Sequence, residues 1–332
     1  MSLLHFERNF SLRLSLLLTG MLFIGITQAG EYQDPLDLPS VHLQVSQKSL
    51  LLDGAMAGSR LVVVGERGHI IYSDDQGGKW QQADVATRGH LNAVQFVNEK
   101  LGWAVGEDSI VLNTQDGGLT WQHQSDGRDA QQKGPLLDLY FKNAKEGFAV
   151  GVFNKIYHTV DSGHSWQPWQ DNIDNEDEWH LFAMSAVEQN IYIASEMGLM
   201  FRSLDGGKKF EQIQTDHDGS FHGVLARKGL SGQDELVLFG VGGVVYISLN
   251  SGETWVQLDT ATEDGLSGGV WLDDGSALIV GANGVMVKLD RFLTTASTDH
   301  TSSGEPLSGV ISRSASSHIA LGLGGLHMLS KL

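Results

Sequence analysis

The sequence predicts an all-β fold: a seven-bladed β-propeller of four-stranded antiparallel blades with Asp-box hairpins, its ring closed by an N-terminal strand. Three observations predict it. A segment of the form apolar-x-apolar-Gly-x-x-Gly recurs seven times, an Asp-box turn follows five of the copies, and the last repeat lacks a strand while a strand-like segment precedes the first.

The seven copies are Leu61 to Gly68, Gly102 to Ser109, Gly147 to Asn154, Ile191 to Gly198, Val237 to Gly243, Leu278 to Gly284 and Ile319 to Gly325. Their equivalent positions, Gly65, Gly106, Gly151, Ser195, Gly240, Gly281 and Gly322, are 41 to 45 residues apart, which is the period of propeller blades. Each unit reads as four short strands bounded by glycine or polar turns, for example Leu91 to Phe96, Gly102 to Gly106, Ile110 to Asn113 and Trp121 to Gln124. No helical stripe competes. Radial repetition leaves only short, protected sheet edges.

After the third strand of five units comes Ser/Thr-x-Asp-x-Gly-x-x-aromatic. The copies are Ser73, Asp75, Gly77, Trp80; Thr114, Asp116, Gly118, Trp121; Thr159, Asp161, Gly163, Trp166; Ser203, Asp205, Gly207, Phe210; and Ser248, Asn250, Gly252, Trp255. The carboxylate or amide bonds backbone N–H groups of its own turn, glycine supplies the positive φ, and the ring fills the gap between sheets. These residues are therefore assigned a structural role. Units six and seven carry Leu289-Asp290-Arg291-Phe292 and Met328-Leu329-Ser330 instead, without the motif.

The last unit offers strands near Leu307 to Ser312, His318 to Leu323 and Leu326 to Leu329, then ends. Val41 to Ser46 alternates apolar and polar like a half-buried strand, so it is expected to complete blade seven.

Composition sets outer bounds. Among 332 residues there are 41 glycines, five prolines and no cysteine, so disulfides, thiolate metal sites and cysteine nucleophiles are excluded. A net charge of −18 argues against binding nucleic acid through a basic face. Arg8 and Arg13, an apolar run from Leu14 to Ile26, and Thr27-Gln28-Ala29 form a secretory signal with a cut expected after Ala29. The expected organisation is a signal peptide over 1–29, an N-terminal extension over 30–40 and one propeller over 41–332, exported to the periplasm or secreted, monomeric, and with no membrane span once the signal is removed.

The phrases GWAVGEDSIVLNTQDGGLTW and GFAVGVFNKIYHTVDSGHSW, preceded by LNAVQFVNEK and LLDLYFKNAK, resemble the repeats of the photosystem II assembly and stability factor family, over most of residues 49–260. The resemblance implies a seven-bladed, non-catalytic propeller, lumenal or periplasmic, that helps assemble membrane complexes; heterotrophic bacterial relatives accompany large membrane transporters. A thylakoid lumen location is implied only for a photosynthetic source. Photosynthetic members present an arginine-rich patch, whereas here Arg60, Arg67, Arg88, Arg128, Arg202, Arg227, Arg291 and Arg313 are scattered along the chain.

The alternative Asp-box reading is a sialidase-like glycoside hydrolase or a carbohydrate-binding propeller. A sialidase needs an arginine triad, a tyrosine nucleophile helped by glutamate, and an acid/base aspartate. Phe201-Arg202-Ser203-Leu204 only echoes its early arginine motif, and Tyr157 and Tyr246 fall in an inter-blade core slot. No catalytic residue, metal site or cofactor is assigned.

Propeller ligands collect where the turns between second and third strands meet the inter-blade loops. The turns supply Glu66, Arg67, Glu107, Asp108, Phe153, Asn154, Glu196, Met197 and Asn283; the starts of inner strands supply His90, Asn92, Trp179, His180, Phe221 and His222. His90, His180 and His222 could be imagined around a metal, but they belong to different blades. The acidic loop Asp171 to Glu178 points to a cationic partner, a basic segment of a membrane protein, or to Ca²⁺.

Overall fold

The computed structural model describes residues 32–128, 133–314 and 317–329, and Asp34–Leu332 forms one compact unit. The expected signal peptide lies outside the described residues. No helix among the described residues is long and apolar enough to cross a membrane.

Seven consecutive antiparallel meanders make seven blades, with first strands Leu51–Ala57, Leu91–Phe96, Leu136–Phe141, Leu181–Val187, Phe221–Lys228, Leu266–Trp271 and Leu307–Ser314. Five sheets have four strands. Blade two carries a fifth, because Asp84–Val85 pairs in parallel with Thr120 and Trp121 at its outer edge. Second strands such as Gly102–Gly106 and Gly147–Gly151 are buried along their whole length, because both faces of a blade are covered by its neighbours. Each core cluster bridges adjacent blades: Val62, Val64 and Ile70 of blade one pack with Leu91, Ala104, Leu112 and Trp121 of blade two.

The Asp-box turns form as their chemistry dictates. Asp161 Oδ1 accepts the Ser165 N–H (2.9 Å), Thr159 Oγ1 accepts the Gly163 N–H (2.9 Å), and Gly163 takes φ 78°. These bonds hold the Asp161 carboxyl down at about 2, the largest contributions coming from the Ser165 hydroxyl and N–H. Blade six, which lacks the motif, makes a comparable turn: Asp290 accepts from the N–H groups of Phe292, Thr294 and Thr295 (3.1, 2.6 and 2.6 Å).

The turns also join blades. The carbonyl just after the box acidic or amide residue accepts a donor from the preceding blade. Gly117 O takes Arg60 Nη1 (3.0 Å), Ser162 O takes Trp103 Nε1 (3.0 Å), Gly206 O takes Lys142 Nζ (3.0 Å) and Ser251 O takes Arg202 Nη1 (2.7 Å). In blade six Arg291 O takes Arg227 Nη2 (2.7 Å), and Gln76 O of blade one takes Arg313 of blade seven. Four of the arginines that look scattered in the sequence, Arg60, Arg202, Arg227 and Arg313, thus serve a repeated mechanical purpose.

The expected closing strand requires correction. Blade seven has three strands among the described residues, and Val41 to Ser46 forms none. That segment runs beside the outer edge of blade one, where Gln82 accepts the Leu43 N–H (2.9 Å) and donates to Val41 O (2.9 Å), leaving Val41, Leu43 and Val45 exposed. Side chains of blade one satisfy it instead of a strand ladder. Closure comes from packing of Leu51, Leu61, Val63 and Ile71 on Ile311, Ile319 and Leu321, and from the Ser308 hydroxyl donating to Leu51 O (2.6 Å).

Candidate functional site

One face of the ring carries the turns between second and third strands together with the inter-blade connections; the Asp boxes lie on the other. At the head of this upper face the glycine column works through close approach. A Cβ at Gly106 would overlap the His90 carbonyl oxygen, which in turn accepts the Glu107 N–H (3.0 Å). Blade four has Ser195 there, and its hydroxyl donates to His180 O at 2.6 Å, so the larger residue is accommodated by a bond. The second residue after this position is left-handed in several blades, with φ near 54° at Arg67, Asp108, Met197 and Asn283, which presents those side chains at equivalent points of the face.

A second device sets the rim. Every first strand has a register shift after its first residue, at Leu51/Asp53, Leu91/Ala93, Leu136/Asp138, Leu181/Ala183, Phe221/Gly223, Leu266/Gly268 and Leu307/Gly309. Bulges re-aim a side chain. The bulged residues are Leu52, Asn92, Leu137, Phe182, His222, Ser267 and Ser308. Three of them tie the ring: Asn92 Nδ2 donates to Leu136 O (2.9 Å), Ser308 donates to Leu51 O, and His222 Nδ1 lies 3.2 Å from Leu266 O.

Just inside the bulges, Asp53 and Asp138 accept the N–H groups of Val94 (2.9 Å) and Met184 (2.6 Å) in the next blade. Burial outweighs those bonds and pushes their carboxyls up to about 6 and about 7.

The expected site residues divide into groups. Glu66 accepts the Leu50 N–H (3.2 Å), as Glu196 accepts the His180 N–H (3.0 Å), so both cap the start of an inner strand. Arg67, His90, Glu107 and Asp108 stand exposed in blades one and two. Phe221 is fully buried, edge-on to Tyr246 with ring centroids 5.6 Å apart. Asn154 is buried and pairs with Asn175, whose Oδ1 accepts the Trp179 N–H (3.0 Å) and whose Nδ2 donates to Trp179 O (2.9 Å). That pairing closes the acidic loop and leaves Glu176, Asp177 and Glu178 exposed.

Next to this loop runs a series of rings. Phe153 meets His180 edge-on at 4.7 Å, His180 lies 6.1 Å from Phe182, and Phe182 meets His222 edge-on at 5.5 Å. Phe153, Met197 and Val241, about half exposed, continue it over the turns of blades three, four and five. His180 and His222 are thus brought together through Phe182, and Trp179 is tied by its backbone to Asn154 and Asn175; the sequence pattern does not point to Asn175, Phe182 or Val241. Lining up the seven inner strands at their second residue would have found Phe182.

The charge here is one-sided. The upper connections of blades three to five, residues 152–154, 175–180, 196–198, 215–220 and 241–244, contain no lysine or arginine, and they carry Glu176, Asp177, Glu178, Glu196, Asp216 and Asp218. Residues 172–174 run beside Phe210 at the edge of blade four, where Asp174 pairs with Lys209 (3.3 Å). No group of three or more His, Asp or Glu able to hold a metal occurs among the described residues. Tyrosines at the core are not activated: burial raises Tyr140 and Tyr157, and pushes Tyr246 up to about 12 with the Asp216 bond adding to it. Arg202 is committed to Glu211, Glu253 and Ser251 O.

The family model described as photosynthesis system II assembly factor YCF48 matches residues 73–134 and 129–291, more than half of the chain. The chain belongs to this family. A comparison with curated proteins gives no match. Among solved structures, that of YCF48 bound to D1 peptide is similar with a TM-score of 0.69 at 18% identity, covering 91% of this chain and 98% of that one. YCF48 from Cyanidioschyzon merolae is similar with a TM-score of 0.69 at 16% identity, covering 84% and 94%. The WD40 propeller domain of Doa1 is similar with a TM-score of 0.63 at 11% identity, covering 89% and 95%. At these identities the structural likenesses speak for the propeller fold, and the YCF48 family model carries the family assignment.

Proposed function

We propose that the mature protein is a non-catalytic assembly factor, exported to the periplasm or lumen, that docks through its upper face onto an extramembrane segment of a membrane protein. Membership of the YCF48 assembly-factor family carries this reading, and the D1 peptide bound by YCF48 in a related structure supports a polypeptide as ligand. A rigid ring suits the task because several blades hold a partner without ordering costs in the scaffold. The acidic upper connections favour a basic segment, whose association weakens as salt shortens the screening length to about 8 Å at ~0.15 M.

Affinity capture from detergent-solubilised native membranes tests it. Tagged mature protein is expected to retain a membrane-protein complex at low salt and to release it at high salt. Capture of no membrane protein at either salt, with turnover of sialosides or aryl glycosides, would replace the reading with the hydrolase one.

A further inference from the structure

We infer that the upper face of blades three to five is a peptide site for an extended segment in which an aliphatic or aromatic anchor is flanked by lysine or arginine. The inference rests on the docking reading above and names its site and chemistry. Three features converge on one arc of the ring. Phe153, Met197 and Val241 expose apolar surface on consecutive turns, and a series of rings from Phe153 through His180 and Phe182 to His222 crosses the same three blades. Outside this apolar strip stands the acidic loop, closed by Asn154 and Asn175 so that Glu176, Asp177 and Glu178 are held outward before any ligand arrives. None of those three forms an ion pair among the described residues, and no lysine or arginine occurs in the upper connections of these blades.

An apolar strip beside preset, unneutralised carboxylates selects against anions and against purely polar chains. Glycans lack the positive charge that the loop would reward. A basic peptide with apolar side chains satisfies both halves, because the anchor covers the strip while its neighbours neutralise the loop. The opposite rim of the same blades differs in charge, because it carries Lys142, Lys145, Lys208 and Lys209, of which Lys142 pairs with Glu146 (2.9 Å) and Lys209 with Asp174 (3.3 Å).

The test uses the mature protein and fluorescein-labelled seven-residue peptides: alternating lysine and leucine, lysine and serine, and glutamate and leucine. Anisotropy is expected to rise only with the lysine–leucine peptide and to fall several-fold in apparent affinity between about 0.02 and 0.15 M salt. Met197→Lys, Phe153→Ser, and the combined Glu176→Gln, Asp177→Asn, Glu178→Gln change are each expected to weaken it at least tenfold. Leu204→Ser on the opposite face should stay within twofold, and far-UV circular dichroism and the thermal midpoint of each variant identify folded protein. Equal binding of the lysine–serine peptide, or full binding by folded Met197→Lys and Phe153→Ser, overturns the site, as does binding to a glycan array in place of the peptides. If membrane capture survives in these variants, the site is wrong and the docking reading stands. Where wild-type protein captures nothing, the docking reading fails with it.

Discussion

Asp138 is where one proton should change the stability of the ring. Its carboxylate accepts the Met184 N–H at 2.6 Å between the inner strands of blades three and four. Burial raises it from 3.8 to about 7, with the charge of Asp53 adding to the rise. In the unfolded chain it keeps the ordinary value. Between about pH 4 and 7 the folded ring therefore holds a proton that the unfolded chain has released. The stabilisation is complete below pH 4 and is lost as the pH rises through 7. A shift of about three units corresponds to at most about 4 kcal/mol, and partial solvent access to the residue reduces this to roughly 2 kcal/mol. Asp138→Asn keeps an oxygen for the Met184 N–H and removes the charge. Urea midpoints should show it about 2 kcal/mol more stable than wild type at pH 8, and by less than half as much at pH 5. The Asp-box carboxylates, held low, lose their contribution only below about pH 4 and stay outside this window. A variant less stable than wild type at pH 8, or a difference that is the same at both pH values, would refute the reasoning.

Gly106→Ala places a methyl group against the His90 carbonyl, flanked by backbone, and should cost about 3 kcal/mol in chemical denaturation. Gly242→Ala, with open space around it but φ 73°, should cost only about 1 kcal/mol, so equal losses would remove close approach as the reason for the glycine column. Arg202→Ala removes a buried staple to Ser251 O and leaves Glu211 and Glu253 to solvent; a loss of about 2 kcal/mol in the urea midpoint is expected, and an unchanged midpoint would show that the staple contributes nothing.

The period, the glycine column and the five boxes were legible because each is demanded by backbone geometry that repeats, so a single chain displays it seven or five times over. The closing strand was misread because Val41 to Ser46 has the alternation of a half-buried strand, and six residues of alternation do not distinguish a ladder from a segment held by the side chain of Gln82. Blade six hid its turn in the same way, since Asp290 needs only three nearby N–H groups and not the motif. At the site, turn residues such as Met197 could be placed from the repeat, but the bulge could not. One extra residue decides that Phe221 enters the core while His222 reaches the rim, and a register shift is a relation between two strands that neither displays alone.

The two faces are under different obligations, and this explains where variation collects. On the Asp-box side, backbone carbonyls at Gln76, Gly117, Ser162, Gly206, Ser251 and Arg291 are held by side chains of the preceding blade, so changes there loosen the ring. The upper turns owe the scaffold little beyond an N–H to the inner strand and a left-handed residue, and Arg67, Asp108, Met197 and Asn283 meet the second requirement equally well. Side-chain chemistry can therefore differ from blade to blade without loss of fold. On blades three to five that freedom has been filled with carboxylates and no lysine or arginine, a repulsion that packing does not require. A ligand of opposite charge would relieve it, as the proposed peptide site requires, while the Asn154 and Asn175 pair closes the loop on which Glu176, Asp177 and Glu178 stand exposed.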